Sequence, residues 1–177
     1  MKQDGEIQRV PDEIAKSFRT AVQVGVVVRD LEQSMAALTA VFGIGPFRVA
    51  DSPLPGREQQ QFYHGRPARF RMRQAFADLG SIELELIQPL EGQSIWSDFL
   101  AERGPGIHHI RFNVPDHPAL TAYLETHGLA KTQEGAGIRE GSYWVNYDTE
   151  KLMGFVIEIL QPALGSDGRT PGVEVRK

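Results

Sequence analysis

The chain has 177 residues, 41% hydrophobic and 24% charged, which suits a soluble domain able to bury roughly 70% of the surface its unfolded form exposes. A net charge of −4 leaves no electrostatic footprint for nucleic acid, and the lack of cysteine excludes disulfides and thiolate metal sites. No apolar run approaches the roughly 18 residues of a membrane helix, and the charged opening MKQDGEIQRVPDE lacks the apolar stretch of a secretion signal, so the expectation is a cytoplasmic protein with no membrane partner.

In chain order, residues 1–19 read as a polar N-terminal arm, loose or carrying a short helix. TAVQVGVVV (20–28) is a β-branched apolar run and therefore a strand. Asp30 follows as a helix N-cap; Leu31, Met35, Leu38 and Phe42 recur at helical spacing, and Gly43 stops the helix. Extended segments are expected around 46–51, 68–77 and 81–88. Residues 91–105 form a linker containing a short helix. IHHIRFNV (107–114) is again a strand, and PDHPALTAYLETHG a short helix presenting Leu120, Tyr123 and Leu124 and ending at Gly128. Extended segments around 130–134, 141–147 and 153–161 follow, and the tail 165–177, rich in turn formers, is expected to fray.

This succession occurs twice. LELIQP (84–89) returns as IEILQP (157–162), and VQVGVVVRD (22–30) aligns with HHIRFNVPD (108–116) at a constant offset of 86. Each half reads β-α-β-β-β, so the expected fold class is α+β, built from tandem βαβββ modules at 20–90 and 106–164.

Strand side chains alternate between faces. Ile82, Leu84 and Leu86 take one face of their strand, under the module's helix, while Glu83, Glu85 and Ile87 take the other. Glu158 shares a face with Val156 and Leu160 and opposes Ile157 and Ile159. His109 and Arg111 share a face, with His108 and Ile110 opposite. The internal alignment pairs Gln23 with His109 and Glu85 with Glu158. A carboxylate among apolar residues is costly unless paired or bound to metal. Taken singly, a strand Glu or Gln is more often solvated, and a histidine often only satisfies a backbone group. Four N/O donors at equivalent positions of a repeat instead suit a divalent cation that keeps one or two positions open for water or substrate.

GIHHIRFNVPD, IELELIQPLEG and the paired modules resemble the vicinal oxygen chelate superfamily, which includes glyoxalase I, methylmalonyl-CoA epimerase, extradiol dioxygenases and bleomycin-resistance proteins. The resemblance spans about residues 20–163, and FADLGSIELELIQPLEG with FLAERGPGIHHI is most similar to the epimerases and related glyoxalase-like proteins. It implies a sheet curled into a cup. One divalent ion (zinc, nickel, cobalt or manganese) would be held inside by the first and last strands of each module, hence by Gln23, Glu85, His109 and Glu158. Gln stands where the epimerases commonly have His; Gln, Glu, His, Glu is the set of some glyoxalase I enzymes and argues against the iron chemistry of the dioxygenases.

The implied chemistry is that of an isomerase, epimerase or lyase that removes a proton next to a carbonyl and stabilises the resulting enolate. Glu158 is the expected base, and Glu85 a ligand and second acid/base. The partner is a small carbonyl compound or acyl thioester, and the expected assembly a homodimer. Arg111 should point into the cup, towards a glutamate such as Glu83 or a substrate carboxylate. Arg69, Arg71 and Arg73 form a basic strip, either for an anionic substrate, with Arg73 touching it, or as a solvated edge or dimer contact. Tyr143 and Tyr147 on one face of their strand, or Trp144 and Asn146 on the other, would line the pocket, with Tyr143 the expected substrate contact. The alternative is a metal-free binding protein of the same fold that sequesters a small molecule.

Overall fold

The computed structural model describes residues 9–165. The first eight residues of the expected arm, and the expected tail from 166 onwards, lie outside the described residues.

A short helix, α1 (Asp12–Ser17), precedes the first strand, β1 (Gln23–Val27). The next helix, α2 (Leu31–Phe42), starts where the Asp30 carboxylate accepts from the Gln33 backbone N–H at 2.9 Å, and it ends at Gly43 with φ 68°. The first module continues with β2 (Arg48–Ser52), β3 (Gln61–Tyr63), β4 (Arg66–Pro67), β5 (Arg71–Asp78) and β6 (Glu83–Glu91). A connecting helix, α3 (Ile95–Arg103), opens with a reciprocal Ser94–Ser97 cap. The second module contains β7 (Gly106–Asn113), α4 (His117–Thr126), β8 (Lys131–Ala136), β9 (Tyr143–Tyr147), α5 (Glu150–Met153) and β10 (Val156–Gln161). Asp116 caps α4 through the Ala119 N–H at 3.2 Å.

All ten strands join one strongly curled sheet in the order β2-β5-β6-β1-β7-β10-β9-β8-β3-β4. Each module contains one parallel pair, β1 with β6 and β7 with β10, and the modules meet along the antiparallel seam between β1 and β7. A single chain therefore brings both halves to one cup.

Two apolar clusters cover the convex face. Leu31, Ala75, Leu84 and Leu86 pack with Met35 and Leu38 of α2, and Leu120 of α4 packs with Val145, Tyr147 and Ile159. The alternation expected for the strands bearing Glu85 and Glu158 is thus observed. The third cluster lies on the concave side, where Trp96 of α3 packs with Val27, Met72, Ile87, Trp144 and Leu160. The linker helix therefore fills one end of the cup.

Two features have no signal in the local sequence pattern. The stretch 53–70 leaves the sheet edge at β2 and crosses to the opposite edge, where β3 pairs with β8. It turns at His64 and Gly65, both at positive φ, and returns to β5. Its polar residues show no alternation, because its pairing partner lies in the other module. The side-chain amide of Gln61 fastens the return by bonding both the carbonyl and the N–H of Phe70, at 3.0 and 3.2 Å.

The second feature is a bulge in β7. Gly25 pairs with His109 but Val26 pairs with Ile107, leaving His108 as the extra residue. The expectation that His108 opposes His109 is corrected: its buried ring lies against Phe99 and Trp96 of α3, beside the His109 ring. A period-2 reading cannot anticipate an inserted residue.

Candidate metal centre

The four central strands carry the charged residues and the glutamine at the centre of the cup. Gln23 begins β1, Glu83 and Glu85 lie on β6, His109 and Arg111 on β7, and Glu158 on β10. Gln23 and His109 are fully buried and Glu85 and Glu158 nearly so, at 3% and 5% exposure. His109 Nε2 lies 3.3 Å from a Glu85 oxygen, 3.8 Å from a Glu158 oxygen and 3.5 Å from the Gln23 side-chain oxygen. One ligand atom each from Glu85, His109 and Glu158 fall within 4.8 Å of one another, a group that could hold a metal ion.

Local sequence explains the convergence. The Gln23 amide donates to Glu83 at 2.8 Å, which turns its oxygen towards His109. Gly25, directly opposite His109, lets the imidazole lie flat on the backbone of β1. A Cβ at this glycine would stand 2.5 Å from Nδ1 and closer still to Cε1 and Nε2. On the far side of the ring, His109 Nδ1 faces His108 Nδ1 at 3.2 Å, leaving Nε2 for the oxygens.

Charge is concentrated here. Burial pulls the His109 imidazole down, but the carboxylates of Glu158 and Glu85 outweigh it and hold its pKa above the ordinary value. Burial pushes the Glu158 carboxyl up, and the nearby Glu85 adds to this against the attraction of His109 and Arg111. Burial, reinforced by His109 and Arg103, holds His108 well below its usual range and therefore neutral. Two carboxylates and an imidazole nitrogen within 4.8 Å of one another, with an amide oxygen 3.5 Å from that nitrogen, are a donor set that fits a divalent cation, which would take the place of the proton this arrangement otherwise favours.

Arg111 reaches Glu83 at 3.5 Å, and Glu83 also binds Arg48 at 2.6 Å. Arg111 thus lies in the cup and next to Glu83. A cavity of about 590 Å³, opening to solvent, rises from the site. Its walls include Met72, Phe76, Trp96, Trp144 and Leu160, and Glu85, Arg111 and Glu158 face into it. Tyr143 does not line it: its ring packs in the convex-side cluster with Leu120 and Tyr147 and contacts His117. Arg73 is also outside, on the convex side of β5, 3.5 Å from Glu32 of α2 and 3.7 Å from Asp51 of β2. Strand alternation is the reason in both cases, since Trp144 and Asn146, and Met72 and Gln74, hold the concave positions on those strands.

Gln74, Arg48 and Gly25 are parts of the site that the sequence reading did not assign. The signal for Gln74 was available, because it is the polar residue among Met72 and Phe76 on the concave face of β5. Gly25 inside a β-branched run also marks a close approach.

Comparison with known proteins agrees with this architecture. Among solved structures, methylmalonyl-CoA epimerase from Mycobacterium tuberculosis superposes with a TM-score of 0.60 at 22% identity, over 81% of this chain and 88% of that one. A hypothetical protein from Bacillus halodurans C-125 gives 0.62 at 18% identity, over 84% and 97%. A single-residue variant of Streptomyces coelicolor methylmalonyl-CoA epimerase, in complex with 2-nitronate-propionyl-CoA, gives 0.57 at 19% identity, over 86% and 98%. At these identities the likeness establishes the fold alone, and no curated protein matches the sequence significantly. The family model described as Glyoxalase/Bleomycin resistance protein/Dioxygenase superfamily matches residues 22–147, and with the curled double-module sheet this places the chain in that superfamily.

Proposed function

We propose that this protein is a metal-dependent isomerase, epimerase or lyase that moves a proton at a carbon next to a carbonyl. The observation that carries the reading is the buried group of Glu85, His109 and Glu158 at the floor of an open, largely apolar cavity. Gln23, Glu85, His109 and Glu158 would hold the ion. When bound, a divalent ion supplies Lewis-acid stabilisation of the negative charge that develops on a substrate oxygen.

The chain's own groups do the rest. Glu158 is the base, because burial raises its carboxyl towards the range in which a carboxylate accepts and returns a proton near neutral pH. In this reading Glu85, contributed by the other module, is the second acid/base and exchanges a proton on the opposite side of the same carbon. Arg111 offers a cation in the cavity wall to a carboxylate or thioester oxygen of the substrate. Met72, Phe76, Trp96 and Trp144 exclude water from the reacting carbon. The similarity to structures of epimerases bound to methylmalonyl-CoA and to 2-nitronate-propionyl-CoA makes acyl thioesters the first substrates to try.

The test is elemental analysis of untagged protein purified without chelator, for wild type and Glu158→Gln, followed by solvent deuterium exchange into candidate acyl thioesters and 2-oxo compounds. About one divalent ion per chain, lost in the variant, together with exchange in the wild type alone, is the expected result. No ion even after incubation with zinc, nickel, cobalt and manganese would overturn the proposal and leave a ligand-sequestering cup.

A further inference from the structure

Two amides outside the four-donor set touch it. The Gln74 side chain on β5 donates to Glu85 Oε1, and that of Asn146 on β9 donates to Glu158 Oε2 at 3.1 Å. Both are buried, Gln74 at 7% exposure and Asn146 at 0%. Each stands on the strand next to the one bearing its glutamate, but the oxygen taken differs: Gln74 binds the Glu85 oxygen away from His109, whereas Asn146 binds Oε2 of Glu158, the oxygen that lies 3.8 Å from His109 Nε2.

The amide orientation is dictated by its partner, because the reverse orientation would set a carbonyl oxygen against a carboxylate. The result is that Gln74 Oε1 and Asn146 Oδ1 are buried with no hydrogen-bond partner among the described residues. A residue kept only for packing would be apolar, since a buried orphan acceptor is unfavourable. The N–H donated to the glutamate is what such a residue contributes.

Side-chain length follows strand register. Asn146 is directly across from Glu158, whereas Gln74 is across from Ile87, and the residue opposite Glu85 is Phe76. Directly paired side chains lie about 4.5–5.5 Å apart at Cβ and diagonal ones about 7–8 Å. The short amide is used where the pairing is direct, and the amide one methylene longer where it must reach along the diagonal.

We infer that Gln74 and Asn146 are positioning residues, which fix the rotation of Glu85 and Glu158 and keep one oxygen of each directed at the shared centre. Gln74 occupies Oε1 of Glu85 and leaves Oε2 to approach His109, while Asn146 binds Oε2 of Glu158 itself and so holds the oxygen that faces His109 in place. This inference rests on the proposed metal site. It predicts that Gln74→Asn, which keeps the amide but cannot span the diagonal, weakens metal binding as much as Gln74→Met, which keeps the length and loses the donor. The expected loss is about 10–100-fold for each, and similar for Asn146→Leu.

Zinc affinity is measured by competition against a chromophoric chelator for wild type, Gln74→Asn, Gln74→Met and Asn146→Leu, beside the melting temperature of each metal-free protein. Weaker zinc binding in all three variants, with metal-free melting temperatures near wild type, supports the assignment. Unchanged zinc affinity in Gln74→Asn and Asn146→Leu overturns it, as does a loss of melting temperature with zinc affinity retained, which would mark the amides as packing groups. Should Gln74→Met not fold, the comparison of Gln74→Asn with wild type decides. A wild type that binds no zinc defeats the metal-site reading itself, and this inference with it.

Discussion

Gly25→Ala should damage the site without adding or removing any polar group. The Cβ would stand 2.5 Å from His109 Nδ1, and ordinary van der Waals contact begins near 3.4 Å, so the ring must retreat by about 0.9 Å or more. Metal–ligand distances tolerate deviations of only about 0.2 Å, so a displaced Nε2 leaves the position shared by Glu85, Glu158 and Gln23. Overpacking of this kind costs about 1–3 kcal/mol. Taken from metal binding, that is about a 5- to 150-fold weaker Kd; taken from the metal-free fold, it lowers Tm by roughly 2–12 °C for a chain of this size. A double-mutant cycle isolates the contact. In a His109→Ala background the clash is gone, and Gly25→Ala should be neutral or stabilising by about 0.5–1 kcal/mol, because alanine suits a strand interior better than glycine. The assays are zinc competition for the single variant and thermal unfolding for all four proteins. A Kd within twofold of wild type, or an equal cost of Gly25→Ala with and without the imidazole, would refute the steric account.

Protonation sets a further expectation. His109 and Glu158 both have folded-state pKa values raised above 6.5 and 4.5, so the stability they lend the metal-free protein is fully present below those values and is lost as pH rises through the folded ones. A metal needs both deprotonated, and zinc should therefore bind about tenfold tighter per pH unit for each proton displaced; a Kd unchanged between pH 5.5 and 7.5 contradicts this. Tyr63→Phe removes the 2.5 Å hydrogen bond that ties the crossing segment to Asp98 of α3, and should cost about 1 kcal/mol in denaturant titration. The Asp98 hydrogen bond, burial and the Asp98 charge raise the Tyr63 hydroxyl to about 12, so its contribution should hold below pH 10 and disappear between pH 10 and 12; a wild-type-to-variant difference that is constant over that window counts against the assignment. Leu120→Ala empties a fully buried position under the second module and should cost about 2–5 kcal/mol, with zinc affinity preserved if the convex-side core acts only through stability.

The convergence of Gln23, Glu85, His109 and Glu158 was legible because two local regularities carried it. The doubled hexapeptide and the 86-residue offset identified equivalent positions, and the two-residue period placed Glu85 and Glu158 away from the helix-facing Leu84, Leu86, Ile157 and Ile159. The helix limits at Asp30 and Gly43 were equally local, since a cap is a contact between residues a few positions apart. What tertiary structure alone decided involves partners distant in the chain. The 53–70 segment pairs with β8 and not with its own module, the bulge turns His108 inward against α3, and the register of β5 on β6 makes a glutamine the partner of Glu85. Register also separates Tyr143 and Arg73 from the cavity, since it selects which of two alternating faces each strand turns to the concave side. Periodicity sorts residues into faces and repeats match them across modules, but the pairing that brings two strands together depends on loop closure and packing over tens of residues, which no local pattern records.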